Sequence, residues 1–546
     1  MRKPLYGALI ALLAVAPVWA GPAPVADLAD RIDAMVARGD VSPDEAELYW
    51  LYAVRAPERL PAGLRAGQAG HRGARATAEA SGHEPFALRC GTPVLRYVRA
   101  RLERLPPALR AEAAELLGRA SAGRGTAFRT AAGKTGAPAL ANRLVTENFS
   151  IEWGPDLTNE DGSTPVIRDQ FGDPDIPDVV ERWAAYFEAA YAAEVGEMGY
   201  THPAVEATLI PVYIGNSDPS KSLENIASGT YAYTQPDGVP YIVVNNDLSF
   251  VPPNGEGSSG LAKIHGAMKI TAAHELFHVF HFLYEPDAWN PTEDDWWFEC
   301  SSTWMEDEVF DEVNDYYQYF NQAFRRQGWA NFLHEGLPVR STDPSYVTRA
   351  YGSVIFAKYL SEHVGRRQAM FDVWGRIRFD GQRILDALDA FATANGFAGL
   401  PDLFLGFVGA TAVMDYEEGA NYGSVPLAGT SLESLNFFGL GYLGARYEEE
   451  TLAAGVSTFA YDTPTESGWG VATAYRDPLT GRFVYGRSLA AAGRVEVTLD
   501  LPRSAEVYVG AARLTSGEVP AEPPAADGGG GGGGGGGGCF LSILGF

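Results

Sequence analysis

Two histidines four residues apart, with a glutamate directly after the first, are the strongest chemical signal in the chain. His274 and His278 would lie on one face of a helix, about one turn apart. That spacing suits two ligands of a tetrahedral Zn²⁺ ion, and Glu275 could take a proton from a metal-activated water as it attacks a carbonyl. The motif therefore predicts a hydrolytic zinc site; a buried helix with two incidental histidines is the structural alternative.

A catalytic zinc site needs a third protein ligand and an open fourth position. Glu299, on a predicted following helix, is the candidate for the third ligand, with a solvated helix charge as the alternative. Thr303 and Glu306 would share its helical face, so either could orient a ligand imidazole. His281, one turn beyond His278, is expected to pack in the core or support a ligand rather than bind the metal.

These residues resemble the metal site of thermolysin-like gluzincins. The Trp-x-Glu…Trp-x-Glu-Asp pattern of residues 297–307 is also similar to hyicolysin-type bacterial secreted peptidases, and the resemblance covers roughly Asn148–Gly365. The metzincin pattern is excluded, because Tyr284 stands where a third histidine would be and His281 where those enzymes have glycine. The chain departs from thermolysin at Thr303, where an aspartate would be expected, and this leaves the support of the ligands open.

The resemblance implies an α+β zincin-like catalytic domain, with a mixed sheet, an active-site helix and a helical lower lobe. It also implies a tyrosine or histidine that stabilises the tetrahedral oxyanion. Tyr351 resembles the tyrosine at such a place, with His363 and Tyr346 as competitors. An aromatic core residue is the alternative for Tyr351.

Cys90 lies in Leu88–Val94, a segment that resembles the cysteine-switch peptide of matrixin propeptides. The resemblance implies that its thiolate could take the open position of the zinc and keep the enzyme latent. Matrixins are metzincins, so the similarity would be convergent. A disulfide between Cys90 and Cys300 and two free thiols are the alternatives. With Cys539 as the third and last cysteine, neither a disulfide framework nor a cysteine zinc finger is expected.

The first residues are typical of a secretory signal peptide. Arg2 and Lys3 form a short positive region, Ala8–Val15 an apolar core, and Ala20 the small residue before a cut. An uncleaved anchor is the alternative, although the apolar run is short for a bilayer. Residues 1–20 thus predict a secreted, extracellular or cell-surface bacterial protein.

Composition and hydrophobic periodicity divide the remainder of the chain into predicted regions. We expect a helical propeptide and linker over 21–141, with a permanently attached helical domain as the alternative. A zinc metallopeptidase domain over 142–430 and a β-sandwich over 431–518 follow. Residues 519–546 form a Pro/Ala and poly-Gly tail, expected to be disordered, whose terminal Cys539 and apolar segment could serve as a handle for attachment to the cell surface.

The elements that would position the motif follow from the same patterns. Strands are predicted at 148–153, 208–214, 241–245, 451–461, 470–475, 495–499 and 505–511. Helices are predicted at 26–37, 44–54, 93–119, 178–198, 267–284, 296–310, 315–326, 351–363, 367–378 and 384–395. Tyr241–Asn245, upstream of the metal helix, is predicted to be the sheet edge that pairs with an extended substrate.

The net charge of the chain limits the classes of molecule that it is expected to bind. The net charge of −27 argues against a nucleic-acid partner, because phosphate binding needs a basic surface. The acidic loop Asp156–Asp178 could hold Ca²⁺, but it lacks EF-hand spacing, and a solvated loop is the favoured interpretation. Protein or peptide substrates are the expected partners, and the sequence does not predict an oligomeric state.

Together these features predict a secreted zinc-dependent endopeptidase. Glu275 would act as the general base towards the attacking water and would later protonate the leaving amine. A catalytically silent zincin-fold protein that binds surface molecules through its β-sandwich is the alternative, and a zinc enzyme acting on another bond is a third. The presence of Glu275 favours an enzyme, because a binding protein has no need of a base there.

Overall fold

A computed structural model describes most of the chain, with several gaps. The described residues are 24–61, 64, 88–117, 142–215, 226–227, 229–235, 240–285, 295–320, 333–337 and 347–517. The predicted signal peptide, most of the linker, the C-terminal tail, Tyr346 and Cys539 lie outside these ranges. The architecture is mixed, with several β-sheets and many helices, as an α+β class requires.

The N-terminal region forms a helical lobe with its own apolar core. Its helices are α1 (Pro24–Ala37), α2 (Pro43–Arg55), α3 (Thr92–Arg101) and α4 (107–117). Helix α2 begins at a capping box, in which Ser42 and Glu45 satisfy each other's backbone N–H groups. The predicted helix over 93–119 is divided into two by a 3₁₀ turn at Leu102–Arg104.

A six-stranded mixed sheet lies at the centre of the molecule, in the order β1-β5-β6-β4-β3-β2. Its strands are β1 (Leu88–Cys90), β2 (Asn142–Val145), β3 (Phe149–Trp153), β4 (Ile210–Gly215), β5 (Thr230–Gln235) and β6 (Tyr241–Asn245). Strands β3, β4 and β6 confirm the strands predicted at 148–153, 208–214 and 241–245. The sequence analysis did not predict β1, β2 or β5.

Both faces of this sheet are covered, which explains why its strands lack an alternating pattern. On β6, Ile242 and Val244 face the core formed with the central helices, whereas Tyr241 and Val243 face the core of the N-terminal lobe. A strand buried on both sides consists of a continuous run of apolar residues. The prediction that β6 is an edge strand is wrong, because β6 pairs with β4 on one side and β5 on the other.

The helices of the central layer begin with α5 (Asp178–Tyr191), which continues as a π-helical turn to Glu197, and α6 (Pro203–Glu206). Helix α7 (Gly260–Tyr284) carries the histidine motif, and α8 (Asp295–Val309) packs along it. Helix α7 begins seven residues earlier than predicted. Most of its side chains are buried on all sides, as expected for a helix through the middle of a core.

The second half of the layer is helical, with boundaries that differ from the predicted ones and with a last helix that was not predicted. Its helices are α9 (Val347–Gly352), α10 (Val354–Tyr359), α11 (Gln368–Asp380), α12 (Ile384–Ala394) and α13 (Leu400–Ala412). The single helix predicted over 351–363 is instead α9, α10 and a π-helical turn at Leu360–Val364. Of the helix predicted over 315–326, the described part is a 3₁₀ turn at Asp315–Tyr319.

The C-terminal region consists of two facing sheets with a shared core, as a small sandwich requires. Its strands are β7 (Leu427–Gly429), β8 (Gly444–Leu452), β9 (Gly455–Asp462), β10 (Trp469–Arg476), β11 (Phe483–Leu489), β12 (Arg494–Leu501) and β13 (Ala505–Arg513). The strand predicted over 451–461 is two strands, and β11 was not predicted. The outer face of the larger sheet packs on α13, so its core is continuous with that of the central layer.

None of the helices within the described ranges is long and apolar enough to cross a membrane.

Candidate metal centre

Four potential metal donors converge where α7, α8 and β1 meet. One donor atom each from Cys90, His274, His278 and Glu299 lies within 4.8 Å of the other three. All four side chains are buried, with exposures of 0 to 3 %. The structure therefore brings together the two histidines and the glutamate predicted as ligands, and it adds the cysteine predicted as a latency ligand.

The spacing of these atoms fits a tetrahedral ion. The Nε2 atoms of His274 and His278 lie 3.1 Å apart. Two ligands at about 2.0–2.1 Å from a tetrahedral Zn²⁺ stand about 3.3 Å apart. Oε2 of Glu299 lies 3.2 Å from His274 Nε2, and Oε1 lies 3.2 Å from His278 Nε2. The three side chains thus point at one common centre.

The carboxylate of Glu299 supports a cation at this centre. Neither of its oxygens receives a well-formed hydrogen bond from the described residues, although the side chain is buried. Burial raises the pKa of Glu299, but the charge of His278 and the contacts with both imidazoles outweigh it and hold the pKa at about 2. A buried, ionised carboxylate is costly without a positive partner, and the charged imidazoles that lower this pKa would take that place only while no cation lies at the centre. A metal ion would be such a partner.

The position and tautomer of His274 are fixed by Glu306. Nδ1 of His274 lies 2.7 Å from Oε1 of Glu306, which leaves Nε2 directed at the common centre. Burial lowers the pKa of His274, but Glu299 and Glu306 outweigh it and raise the pKa to about 10. The two carboxylates therefore favour a positive charge here, either a proton on the imidazole or a cation at Nε2.

His278 is oriented by a second chain of contacts. Its Nδ1 lies 3.1 Å from Nδ1 of His281, whose Nε2 lies 3.2 Å from Oγ of Ser301. Ser301 donates its own proton to the Trp297 carbonyl, so its oxygen accepts from His281 Nε2. His281 Nδ1 is then an acceptor, and His278 donates through Nδ1, which leaves its Nε2 lone pair directed at the centre.

His281 is not part of the donor group and contacts His278 instead, as expected of a supporting residue. Its ring stacks on Trp374, with centroids 4.3 Å apart. Burial and the neighbouring histidine charges lower its pKa well below the usual value, which keeps the ring neutral. Of the two candidates for orienting a ligand, Glu306 does so, whereas Thr303 Oγ1 has no hydrogen-bond partner among the described residues.

Glu275 lies beside the donor group, and only one of its oxygens has a well-formed hydrogen bond. Its Oε2 accepts a 2.6 Å hydrogen bond from Thr234 Oγ1 on β5, and its buried Oε1 receives no well-formed hydrogen bond from the described residues. Burial raises the pKa of Glu275, and the charges of His278 and His274 offset only part of this increase. A carboxylate with a raised pKa next to a metal position is suited to accept and return a proton.

Tyr351 also reaches the site. Its ring centroid lies 6.0 Å from that of His274, and its hydroxyl accepts the Cys90 N–H at 3.2 Å. His363 instead hydrogen-bonds the Asp415 carbonyl and stacks on Tyr359, so it takes no part in the donor group.

The predicted alternative of a disulfide between Cys90 and Cys300 is wrong. Both are buried free thiols, and Cys300 donates its hydrogen to the Ser353 carbonyl. The Cys90 thiol belongs to the donor group and contacts the carboxylate of Glu275. Burial and the nearby carboxylates of Glu275 and Glu299 raise the pKa of Cys90 well above its usual value.

Thr234 is the residue of the site that the sequence analysis missed. Its hydroxyl contacts both the backbone carbonyl and the carboxylate of Glu275, and its strand was not predicted. Its strand, Thr230–Gln235, contains two threonines and two tyrosines in six residues, a composition with strong β-propensity that could have revealed the strand.

The acidic loop Asp156–Asp178 forms no comparable donor group. Among the described residues, two groups of three or more such donors come together, and neither includes a residue of this loop. The second group is Asp307, Asp311 and Glu418, and the ammonium of Lys358 already pairs with two of its carboxylates.

Comparisons of the chain with protein-family models, with curated proteins and with solved structures gave no match. The chemistry of the site therefore has to be argued from its own geometry.

Proposed function

We propose that this protein is a zinc-dependent endopeptidase with a zincin-like catalytic domain. The observation that carries the proposal is the position of Glu275. Its underpartnered, buried carboxylate lies directly beside a centre defined by two imidazoles and a carboxylate. A site that only bound metal would need the three ligands and not a fourth acidic group next to them.

The donor set favours zinc. Two imidazole nitrogens and one carboxylate are a common zinc set at catalytic sites, whereas Ca²⁺ and Mg²⁺ prefer oxygen ligands alone. His274, His278 and Glu299 would hold the ion, with Glu306 and His281 fixing the two imidazoles. When bound, zinc would supply a Lewis acid that makes water more acidic and a carbonyl more electrophilic.

The protein's own side chains would perform the remaining steps of the reaction. Glu275 accepts the proton of the attacking water and returns it to the leaving amine, while Thr234 keeps its carboxylate in place. Tyr351 reaches the same space with its hydroxyl and is suited to donate a hydrogen bond to the oxyanion.

The sheet favours a peptide as the substrate. Strand β5 lies next to the metal centre, and its outer edge pairs with β1, a strand of three residues. If β1 withdrew, this edge would be free to bind an extended peptide through backbone hydrogen bonds, which favours peptide hydrolysis over other zinc chemistry. Substrate side chains would then alternate between the two faces of the added strand.

The test is to measure zinc content and peptide hydrolysis for the full chain and for Glu275→Gln. A quenched fluorescent peptide library would be used before and after limited trypsin treatment, because Arg119, Arg124, Arg129 and Lys134 offer cleavage sites ahead of β2. Trypsin would be blocked with its inhibitor before each assay. Glu433→Gln, an exposed glutamate of the C-terminal region, is the matched control.

We expect one zinc per chain in all three proteins, with hydrolysis lost by about 10²–10⁴-fold in Glu275→Gln alone. Zinc without hydrolysis in every form would favour the silent binding protein instead. A chain that binds no zinc would refute the proposal.

A further inference from the structure

We propose that Leu88–Thr92 is a built-in inhibitor of the metal centre, which fills the substrate edge of β5 and supplies Cys90 Sγ as the fourth donor. The inference rests on the proposed function and adds its regulation. The resulting donor set is two nitrogens, one oxygen and one sulfur. The sulfur takes the position that a catalytic zinc site keeps open for water.

Three sets of contacts made by Cys90 support this role. Its Sγ belongs to the group of donors within 4.8 Å of one another, and the thiol is fully buried. Its backbone N–H donates to the hydroxyl of Tyr351 at 3.2 Å, and its thiol contacts Glu275. One residue thus touches the ligands, the base and the oxyanion tyrosine. The buried carboxylate of Glu299, which receives no well-formed hydrogen bond from the described residues, is the independent sign of a cation between them.

Strand β1 occupies the edge that an extended substrate would need. It pairs in parallel with β5, with Leu88 opposite Thr230 and Cys90 opposite Ala232. The Gly91 N–H donates to the Ala232 carbonyl at 2.9 Å. A substrate and this segment therefore exclude each other at the backbone level as well as at the metal.

Thr92, at the end of the segment, is hydrogen-bonded to Thr234, the residue that positions the proposed base Glu275. Its Oγ1 donates to the Thr234 carbonyl at 3.2 Å and accepts the Thr234 N–H at 2.9 Å. Thr234 in turn donates its hydroxyl to Glu275. The Thr92 N–H also lies 3.4 Å from Cys90 Sγ, in position to stabilise a thiolate.

The N-terminal lobe holds the segment in place. Arg55 donates hydrogen bonds to the Tyr233 hydroxyl and to the Gln235 side chain, both on β5. Gly91 packs so closely that a Cβ there would lie 2.8 Å from Cγ1 of Val54 on α2. The lobe core also includes side chains from β4, β5 and β6, so the lobe is anchored across the sheet.

The chemistry balances without an oxidant or any other reactant. The Cys90 thiol loses its proton to solvent when Sγ becomes the fourth donor. When the segment withdraws, a water takes that position and the thiolate regains a proton. While the segment is in place, Glu275 has no attacking water to deprotonate, so the inhibitor is not itself hydrolysed.

Zinc K-edge X-ray absorption on the full chain tests the coordination without any activity assay. We expect one sulfur neighbour at about 2.3 Å in the wild type and only nitrogen or oxygen neighbours in Cys90→Ser. The double variant Cys300→Ala/Cys539→Ala, in which Cys90 is the sole cysteine, should keep the sulfur signal. That variant and the wild type decide the question even if Cys90→Ser does not fold. A wild-type spectrum without sulfur would overturn the proposal.

Peptide hydrolysis by the same full-length proteins tests the regulation. Because only molecules with the segment withdrawn can bind substrate, we expect Cys90→Ser to hydrolyse peptide at least about tenfold faster than the wild type. A Cys90→Ser protein that loses zinc and gains no activity would mean that the four residues form a permanently closed structural site, and would refute inhibition. Sulfur coordination in the wild type, with no hydrolysis by any variant or tryptic form, would refute the peptidase and not the coordination.

Discussion

Nδ1 of His274 lies 2.7 Å from Oε1 of Glu306, two helical turns beyond Glu299 on α8. One face of α8 therefore supplies both a proposed ligand and the carboxylate that orients another ligand. The contact fixes the ring and leaves Nε2 directed at the centre of the donor group. An aspartate was expected at Thr303, but Thr303 Oγ1 has no hydrogen-bond partner among the described residues, and Glu306, one turn later, contacts His274 instead.

Replacing Glu306 by Gln should weaken zinc binding about 10- to 100-fold, because an amide is a poorer partner for the His274 N–H than a carboxylate. Competition with a zinc chelator would measure the change in the full chain. Thr303→Val is the matched control on the same helix face. Since Thr303 Oγ1 has no hydrogen-bond partner among the described residues, this change should leave zinc affinity as it is. Equal losses in both variants would mean that α8 is merely sensitive to substitution.

Removing the hydroxyl of Tyr351 should slow the reaction rather than weaken substrate binding. In a Cys90→Ser background, Tyr351→Phe is expected to lower kcat about 10²–10³-fold with little change in KM, because an oxyanion forms only in the transition state. Steady-state kinetics on one fluorogenic peptide would separate the two constants. Tyr319→Phe, whose ring lies 5.3 Å from that of Tyr351, controls for aromatic packing. A change confined to KM would remove Tyr351 from the chemistry.

Crowding Gly91 should release the inhibitor segment. The added Cβ of Gly91→Ala would lie 2.8 Å from Val54 Cγ1 and 3.3 Å from Tyr233 Cβ. Overpacking costs about 1–3 kcal/mol, which corresponds to a rise in full-chain hydrolysis of roughly 5- to 150-fold. In Gly196→Ala the new methyl meets nothing within 4 Å, so this control should keep the wild-type rate. Unchanged hydrolysis in Gly91→Ala would show that the segment does not limit activity.

Glu160 should make stability depend on pH. Its Oε1 lies 2.9 Å from Arg182 Nη1 and 3.0 Å from His265 Nε2. Burial raises the pKa of Glu160, but the His265 hydrogen bond and the Arg182 charge outweigh burial and lower the pKa below its usual value. A lowered carboxyl pKa contributes stability above the unfolded-state pKa, and this contribution is lost as the pH falls through the folded-state value.

Glu160→Gln should therefore lower the free energy of unfolding by about 1–3 kcal/mol at pH 7. The difference from wild type should shrink as the pH falls below about 4. Urea unfolding at several pH values would measure it. Glu103→Gln, which alters a side chain that is 82 % exposed, should change little at any pH. A Glu160→Gln effect that persists undiminished into acid would contradict the assigned pKa shift.

The sequence alone determined the parts of the site that depend on local spacing. Residues four apart on a helix share a face whatever surrounds them, so His274 and His278 were identifiable, with Glu275 beside them. The following aromatic helix identified Glu299 and Glu306 for the same reason. The buried strands β4 and β6 were predictable from short apolar runs, and the helices α7 and α8 from the helical spacing of their apolar residues.

Only the tertiary structure decided which residues that are distant in the chain come into contact. The place of β6 inside the sheet, the partnership of Thr234 with Glu275 and the approach of Cys90 to the proposed metal ligands all depend on strand order. They depend also on which elements pack on the sheet, and the N-terminal lobe covers one of its faces. Sequence periodicity indicates that a face is apolar, but it does not specify which distant element will pack against it.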